Sequence, residues 1–380
     1  MKRFRQVFIT AMIFLLLFSA MAYGDTWTKN KRLTWNAGES AVSAIAVDGS
    51  NIYVLWCDNT PGNYEIYFKK SDDGGVTWTK SKRLTWNAGD SWYPATAVDG
   101  QNIYVVWYDN TPGNYQIYFK KSDDGGTTWT TSKRLTWNAG DSYGAKIAVD
   151  GSNIGVVWSN NTPGNYEIYF KRSDDGGTTW TPNKRLTNNA GTSAGTDIAV
   201  DGSNIYVVRQ DNTPGNLEIY FKKSDDGGTT WTTNKRLTWS DSSSAVPAIA
   251  VDGSNIYVVW QDTESGNDVI YFKKSDDGGV TWTANKRLTN TAGGSYDPAI
   301  AVDGPNIYVA WDDDTPGNYE IYFKKSDDGG TTWTTNKRLT WNAGDSYVPK
   351  IAVDGPNIYV VWEDNTPGNY EIYFKKGVLF

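Results

Sequence analysis

A repeat period of 51 residues, four strand-like segments within each period and an incomplete copy at either end predict an all-β fold, a seven-bladed β-propeller of four-stranded antiparallel blades. The tetrapeptide KRLT begins at Lys31, Lys82, Lys133, Lys184, Lys235, Lys286 and Lys337, and the triplet IYF recurs every 51 residues from Ile66 to Ile372. Seven copies in unbroken register leave no room for a linker, so residues 25–380 are read as one ring.

Each strand has its own signature. In the first copy AIAVD (44–48) is a short apolar run closed by Asp48-Gly49, and NIYVLW (51–56) is rich in β-branched and aromatic residues. YEIYFKK (64–70) alternates apolar and polar residues, and VTWTKSKRLT (76–85) is the most polar segment. The turns DGSN, DNTPGN and SDDGG separate them with residues that tolerate a reversing backbone. No segment has helical apolar spacing. A near-continuous apolar second strand suits a sheet covered on both faces.

The two ends of the repeat argue for a ring over a linear solenoid. The last copy stops at YEIYFKKGVLF without a fourth strand, and DTWTKNKRLT near the N-terminus is a fourth strand without the first three. Trp27 and Trp78 are 51 residues apart, so residues 25–34 are expected to pair with the sheet of residues 348–376 and close the seventh blade. Closure hides strand edges that otherwise invite aggregation.

Residues 1–24 combine Lys2, Arg3 and Arg5 with an apolar run from Val7 to Met21 and small residues at Ala20, Ala22 and Gly24, the layout of a signal peptide. Export to the periplasm or the medium is expected, with no membrane span after its removal. Without those three basic residues the net charge moves from −7 to −10, which disfavours nucleic acid and anionic membranes as partners. Cys57 is the only cysteine, so no internal disulfide forms, and the chain contains no histidine. No cofactor, no metal and a monomeric state are expected.

The turn SDDGG continues into TTW or VTW in six copies. Its defined positions are Ser71, Asp73, Gly75 and Trp78; Ser122, Asp124, Gly126 and Trp129; Ser173, Asp175, Gly177 and Trp180; Ser224, Asp226, Gly228 and Trp231; Ser275, Asp277, Gly279 and Trp282; and Ser326, Asp328, Gly330 and Trp333. An aspartate that accepts turn amides, paired glycines and a tryptophan that covers the turn make a structural hairpin. The stretch lacks the longer alternating ligand spacing and final glutamate of an EF-hand calcium loop.

The pattern Ser-x-Asp-x-Gly-x-Thr-Trp resembles the Asp-box, or bacterial neuraminidase repeat, of sialidases and other propeller proteins. The resemblance implies a turn between the third and fourth strands, at the blade periphery and away from the active-site face. It also implies that a sialidase would need three arginines for the substrate carboxylate, a tyrosine nucleophile paired with a glutamate, and an aspartate acid/base. Every arginine after residue 24 except Arg172 and Arg209 belongs to a KRLT copy, and those seven are spread around the ring. The family's Arg-Ile-Pro signature is absent, so no catalytic residue is carried over.

Near-identical blades present one group seven times, which suits multivalent binding better than catalysis. The copies differ most in the loops from fourth to first and from second to third strand, which share one face. Candidate ligand contacts are Trp35, Trp86, Trp137, Trp239 and Trp341, with Trp92, Tyr143, Tyr296 and Tyr347 at a second position and Arg209 in place of a tryptophan of the other copies. Two further positions vary, Ala44, Ala95, Lys146, Asp197, Ala248, Ala299 and Lys350, and Cys57, Tyr108, Ser159, Gln210, Gln261, Asp312 and Glu363. Asp58 and its equivalents are expected to cap the loop that follows them. The expected function is an exported, non-catalytic binding or scaffold protein for a glycan or another extracellular polymer. The alternatives are a sialidase-like glycoside hydrolase and a structural envelope protein.

Overall fold

A strand that is apolar on both sides needs cover on both faces, and the computed structural model shows how this chain supplies it. It describes residues 25–264 and 266–379; the expected signal peptide, 1–24, lies outside them. Seven antiparallel sheets follow one another, blade I from Ser40–Asp48 to Lys82–Arg83 and so on to blade VII. In blade I the strands are Ser40–Asp48, Asn51–Asp58, Glu65–Ser71 and Lys82–Arg83, innermost to outermost. Blade VII takes its outer strand from the N-terminal part of the chain: Thr26–Trp27 and Lys31–Arg32 both pair with Glu371–Val378.

Each apolar cluster is shared by two consecutive blades. Trp56 of blade I is fully buried against Tyr359 and Phe374 of blade VII. It also stacks on Tyr67 of its own third strand, with centroids 5.9 Å apart.

The box joins neighbours at the rim. Ser71 Oγ donates to Asp73 Oδ1 at 2.8 Å, and Asp73 accepts from Thr77 N (2.8 Å) and Thr77 Oγ1 (2.6 Å). Trp78 Nε1 donates to Gly75 O at 3.1 Å, and the indole meets Phe374 of blade VII edge-on at 5.0 Å. Gly75 has φ +91°, and a Cβ there would lie 2.5 Å from the Phe374 ring, so conformation and space both require glycine. Trp27 repeats the contact on Phe323, with centroids 5.0 Å apart.

Two expectations are corrected. The fourth strand is a two-residue pairing, Lys82–Arg83, where the sequence suggests ten residues: the box turn occupies its first part, and single bonds flank the pairing, Thr79 N to Lys70 O at 2.9 Å and Leu84 N to Ile66 O at 2.7 Å. The first strand is longer than AIAVD because it starts at Ser40 and contains a bulge between Ala41 and Ala44.

A chain beginning at Gly38 lacks buried Leu33 and the Trp27 contact and exposes an edge of Glu371–Val378. It is expected to melt well below the chain beginning at Asp25 in circular dichroism; equal melting would mean that ring closure contributes nothing. The six box carboxylates are held down to about 2 by the threonine hydroxyl and amide, against an ordinary 3.8. A depressed carboxylate stabilises the fold above its unfolded pKa and loses this as pH falls toward the folded one. Acid titration is therefore expected to lower stability between about pH 4 and 2, and Asp73→Asn to make that slope shallower.

Candidate functional site

Strand order decides which variable positions meet. The first strands line the axis, and all seven contribute to a cavity of about 230 Å³ that includes Ala44, Ala95, Lys146, Asp197, Ala248, Ala299 and Lys350. One of the two positions that vary most thus converges on one point, and the groups gathered there differ in kind. The expectation that symmetry presents one group seven times holds for the rim and fails on the axis.

The bulge sets the geometry above this cavity. Val42, Tyr93, Gly144, Gly195, Val246, Asp297 and Val348 all occupy left-handed backbone, with φ between 47° and 59°. Five are not glycine and three are β-branched, an unfavourable conformation that the closed ring sustains at five of the seven blades. The bulge turns its amide toward the preceding blade, where the second variable position answers. Val42 N donates to Glu363 Oε2 (3.1 Å), Val246 N to Gln210 Oε1 (2.9 Å), Val348 N to Asp312 Oδ1 (3.2 Å) and Asp297 N to Gln261 Oε1 (3.4 Å). Asp197 Oδ2 accepts from Ile249 N of the next blade at 3.0 Å. The Cys57 thiol donates to Ala41 O at 3.1 Å and is fully buried.

Burial dominates the electrostatics. It pushes the Asp312 carboxyl well up, reinforced by Asp297, and it raises Asp197 against the pull of Lys146. It also raises Glu363, opposed by the Val42 amide and Lys350. Lys350 falls to about 8, through burial first and Lys146 second. The axis therefore holds one amine, Lys350, and three carboxyls whose charges are costly enough to respond to a ligand.

The other candidates separate into three places. Trp35, Trp86, Trp137, Trp239 and Trp341 stand exposed beside the outermost strands, each within cation–π distance of an arginine and of a lysine from the next blade, such as Arg32 at 5.7 Å and Lys69 at 5.4 Å from Trp35. Trp92 and Tyr143 join a continuous run of rings on the loop face of blades I–III. It passes from Tyr64 through Trp92 (3.7 Å), Tyr93 (6.2 Å), Tyr108 (5.5 Å) and Tyr143 (5.3 Å) to Tyr166 (5.8 Å). Tyr296 and Tyr347 join a second run, through Tyr319 at 5.6 and 4.6 Å, that ends at Tyr370. Ala194 and Ala245 occupy the corresponding positions of the two blades between these runs, and Ala41 that of blade I.

Arg209 is not on the loop face. It is 1 % exposed, sits 3.7 Å from Asp211 and 5.0 Å over Tyr220, and takes the place of the buried tryptophans of the other blades. The KRLT arginines are committed at the rim: Arg83 pairs with Glu65 at 2.7 Å and donates to Thr85 O at 2.6 Å. Asp58 caps its loop, accepting from Thr60 N at 2.9 Å and Ser40 Oγ at 2.8 Å. The bulge carried no separate signal in the sequence; it brings Tyr93 over Tyr108 of the same blade, and Tyr108 then meets Tyr143 across the seam.

A family model described as a BNR repeat-like domain matches residues 103–309. A sialidase of Bacteroides fragilis (strain YCH46) is 23 % identical over 287 residues, 61 % of this chain and 50 % of that protein. The chain thus spans about half the length of that curated relative. Among solved structures, an α-L-arabinofuranosidase of Fusarium graminearum superposes with a TM-score of 0.57 and 11 % identity over 92 % of this chain and 97 % of that one. A polysaccharide lyase gives 0.60 at 10 % over 89 % and 90 %, and Trypanosoma rangeli sialidase 0.51 at 12 % over 94 % and 60 %. At such identities the likeness is one of fold.

A lysine whose folded pKa is lowered adds stability as pH rises from the folded value toward the unfolded one, because only the unfolded chain keeps the proton there. The melting temperature of the wild type relative to Lys350→Met is expected to rise between about pH 8 and 10. A difference independent of pH would show that burial does not hold this amine down.

Proposed function

The chain belongs to the BNR repeat-like domain family, and from that premise we propose that it is an exported, non-catalytic glycan-binding protein whose ligand lies across the loop face. The paired runs of half-buried rings carry this reading: pyranose faces stack on tyrosine and tryptophan, and a run of linked rings offers a polymer successive platforms. The gap between the runs leaves the axial cavity accessible to a charged substituent beside Lys146, Lys350 and Asp197. The axial lining, among the described residues, includes no arginine, and six of the seven KRLT arginines pair with glutamates, which sets this site apart from an arginine-triad sialidase. Export rests on the layout of residues 1–24.

One observation favours a hydrolase instead. A buried Asp312 whose carboxyl is pushed well up by burial and by Asp297 has the character of a general acid. Isothermal titration with neutral and acidic oligosaccharides, beside a fluorogenic sialoside and arabinoside assay, separates the two. Binding without turnover, weakened about tenfold by Tyr108→Ala and by Tyr319→Ala, is expected. Turnover abolished by Asp312→Asn would replace this reading with the hydrolase.

A further inference from the structure

Blade III departs from the other six at two positions that lie together. Its second strand reads NIGVVW, with Gly155 where the others place Tyr53, Tyr104, Tyr206, Tyr257, Tyr308 and Tyr359, all at most 3 % exposed. Each of these rings lies beside the phenylalanine of its third strand, as Tyr53 does on Phe68 at 6.3 Å. Three of the hydroxyls lie beneath the box of the following blade: a Cβ built at Gly74, Gly125 or Gly176 would stand 3.9, 3.9 or 3.7 Å from the oxygen of Tyr359, Tyr53 or Tyr104.

Beneath the box of blade IV that space is a cavity of about 250 Å³. Its walls include Gly155, Val200, Ile205 and Gly227, and exposed Gly202 and Ser203 open it to solvent. Gly155 has ordinary strand backbone, and a Cβ there would lie 3.0 Å from Ile198 Cδ1 and 3.3 Å from Phe170, so a side chain enters once the flexible end of Ile198 gives by a few tenths of an ångström. The second departure is Arg172, which stands where five of the box-bearing blades have lysine. In blade VII the corresponding lysine lies over the tyrosine ring, with Lys376 Nζ 5.4 Å from the Tyr359 centroid. Arg172 donates to Gly227 O and pairs with Asp174 at 3.3 Å, which holds a planar cation at the rim of the cavity.

We propose that this cavity binds a para-hydroxyphenyl group, supplied by a small phenol or by a tyrosine side chain of a peptide. The same fold buries a tyrosine ring against the third-strand phenylalanine six times, so the chain itself provides the template for the occupant. The walls are apolar where that ring would lie, the Arg172 guanidinium offers its plane to a π face, and the Asp174 carboxylate accepts from a hydroxyl. A dry apolar cavity of about 150 Å³ is already enough to take up benzene. The site is on the box face and is independent of the glycan-binding reading.

The test is methyl-detected NMR titration of the full chain after residue 24 with p-cresol and with N-acetyltyrosinamide, cyclohexanol serving as the non-aromatic control. Saturable shifts and intermolecular NOEs from p-cresol to the Ile198 and Ile205 methyls are expected, with cyclohexanol about tenfold weaker. Gly155→Tyr is expected to lose at least about tenfold in p-cresol affinity and to melt higher, since its own ring fills the gap. Binding of p-cresol alone identifies a free phenol as the source, and binding of both ligands a peptide tyrosine as well. Absence of NOEs to Ile198 and Ile205 at millimolar p-cresol would overturn the proposal even if the variant does not fold. So would undiminished binding by folded Gly155→Tyr.

Discussion

Every blade of this protein depends on the seam with its neighbour. The second strands are buried on both faces, so a single blade leaves Trp56 and Val54, or their equivalents, without cover, and only a closed ring leaves no blade in that position. The box acts on the same seam from outside: Trp78 sits edge-on against Phe374, and Lys31 reaches forward to Gly75 O at 3.2 Å. The aspartate of the box never leaves its own turn. It holds the loop in the shape that presents the tryptophan, which explains a motif rich in carboxylates with no chemistry attached to it.

The seam also sorts polar groups into spent and available. At the rim, arginine and glutamate neutralise one another and the first lysine of each FKK crosses to a carbonyl of the preceding blade, as Lys69 does to Leu33 O at 2.6 Å. At the axis the innermost strands approach one another, and the bulge turns an amide across four of the seams. The side chain that meets this amide is glutamate, glutamine or aspartate according to the blade. A symmetric frame thereby encloses an asymmetric set of charges, the arrangement that selective recognition on an axis requires.

Much of the architecture is legible in the linear chain because it is local or periodic. Strand identity follows from β-branched runs and turns, blade number from seven copies of KRLT, and closure from the register of Trp27 with Trp78. The short fourth strand is less legible, since nothing in the composition of residues 76–85 says that the box turn takes up its first part and leaves a two-residue ladder at Lys82–Arg83. The candidate site was legible as variation but not as geometry. Lys146, Asp197 and Lys350 stand out as departures from alanine, yet nothing in their spacing says that they share one cavity.

The sequence by itself determined the repeat, the strands, the box and the ring, because each rests on contacts within a blade or on a pattern copied every 51 residues. Tertiary structure alone decided that Arg209 is sealed in a seam while Tyr93 stands 49 % exposed, that the outer tryptophans and the loop-face tyrosines are separate surfaces, and that Gly155 opens a pocket beside Arg172. The physical reason is that these properties belong to the junction of two blades. A residue's place in its own repeat fixes the face it is on, and the neighbouring blade decides what that face meets.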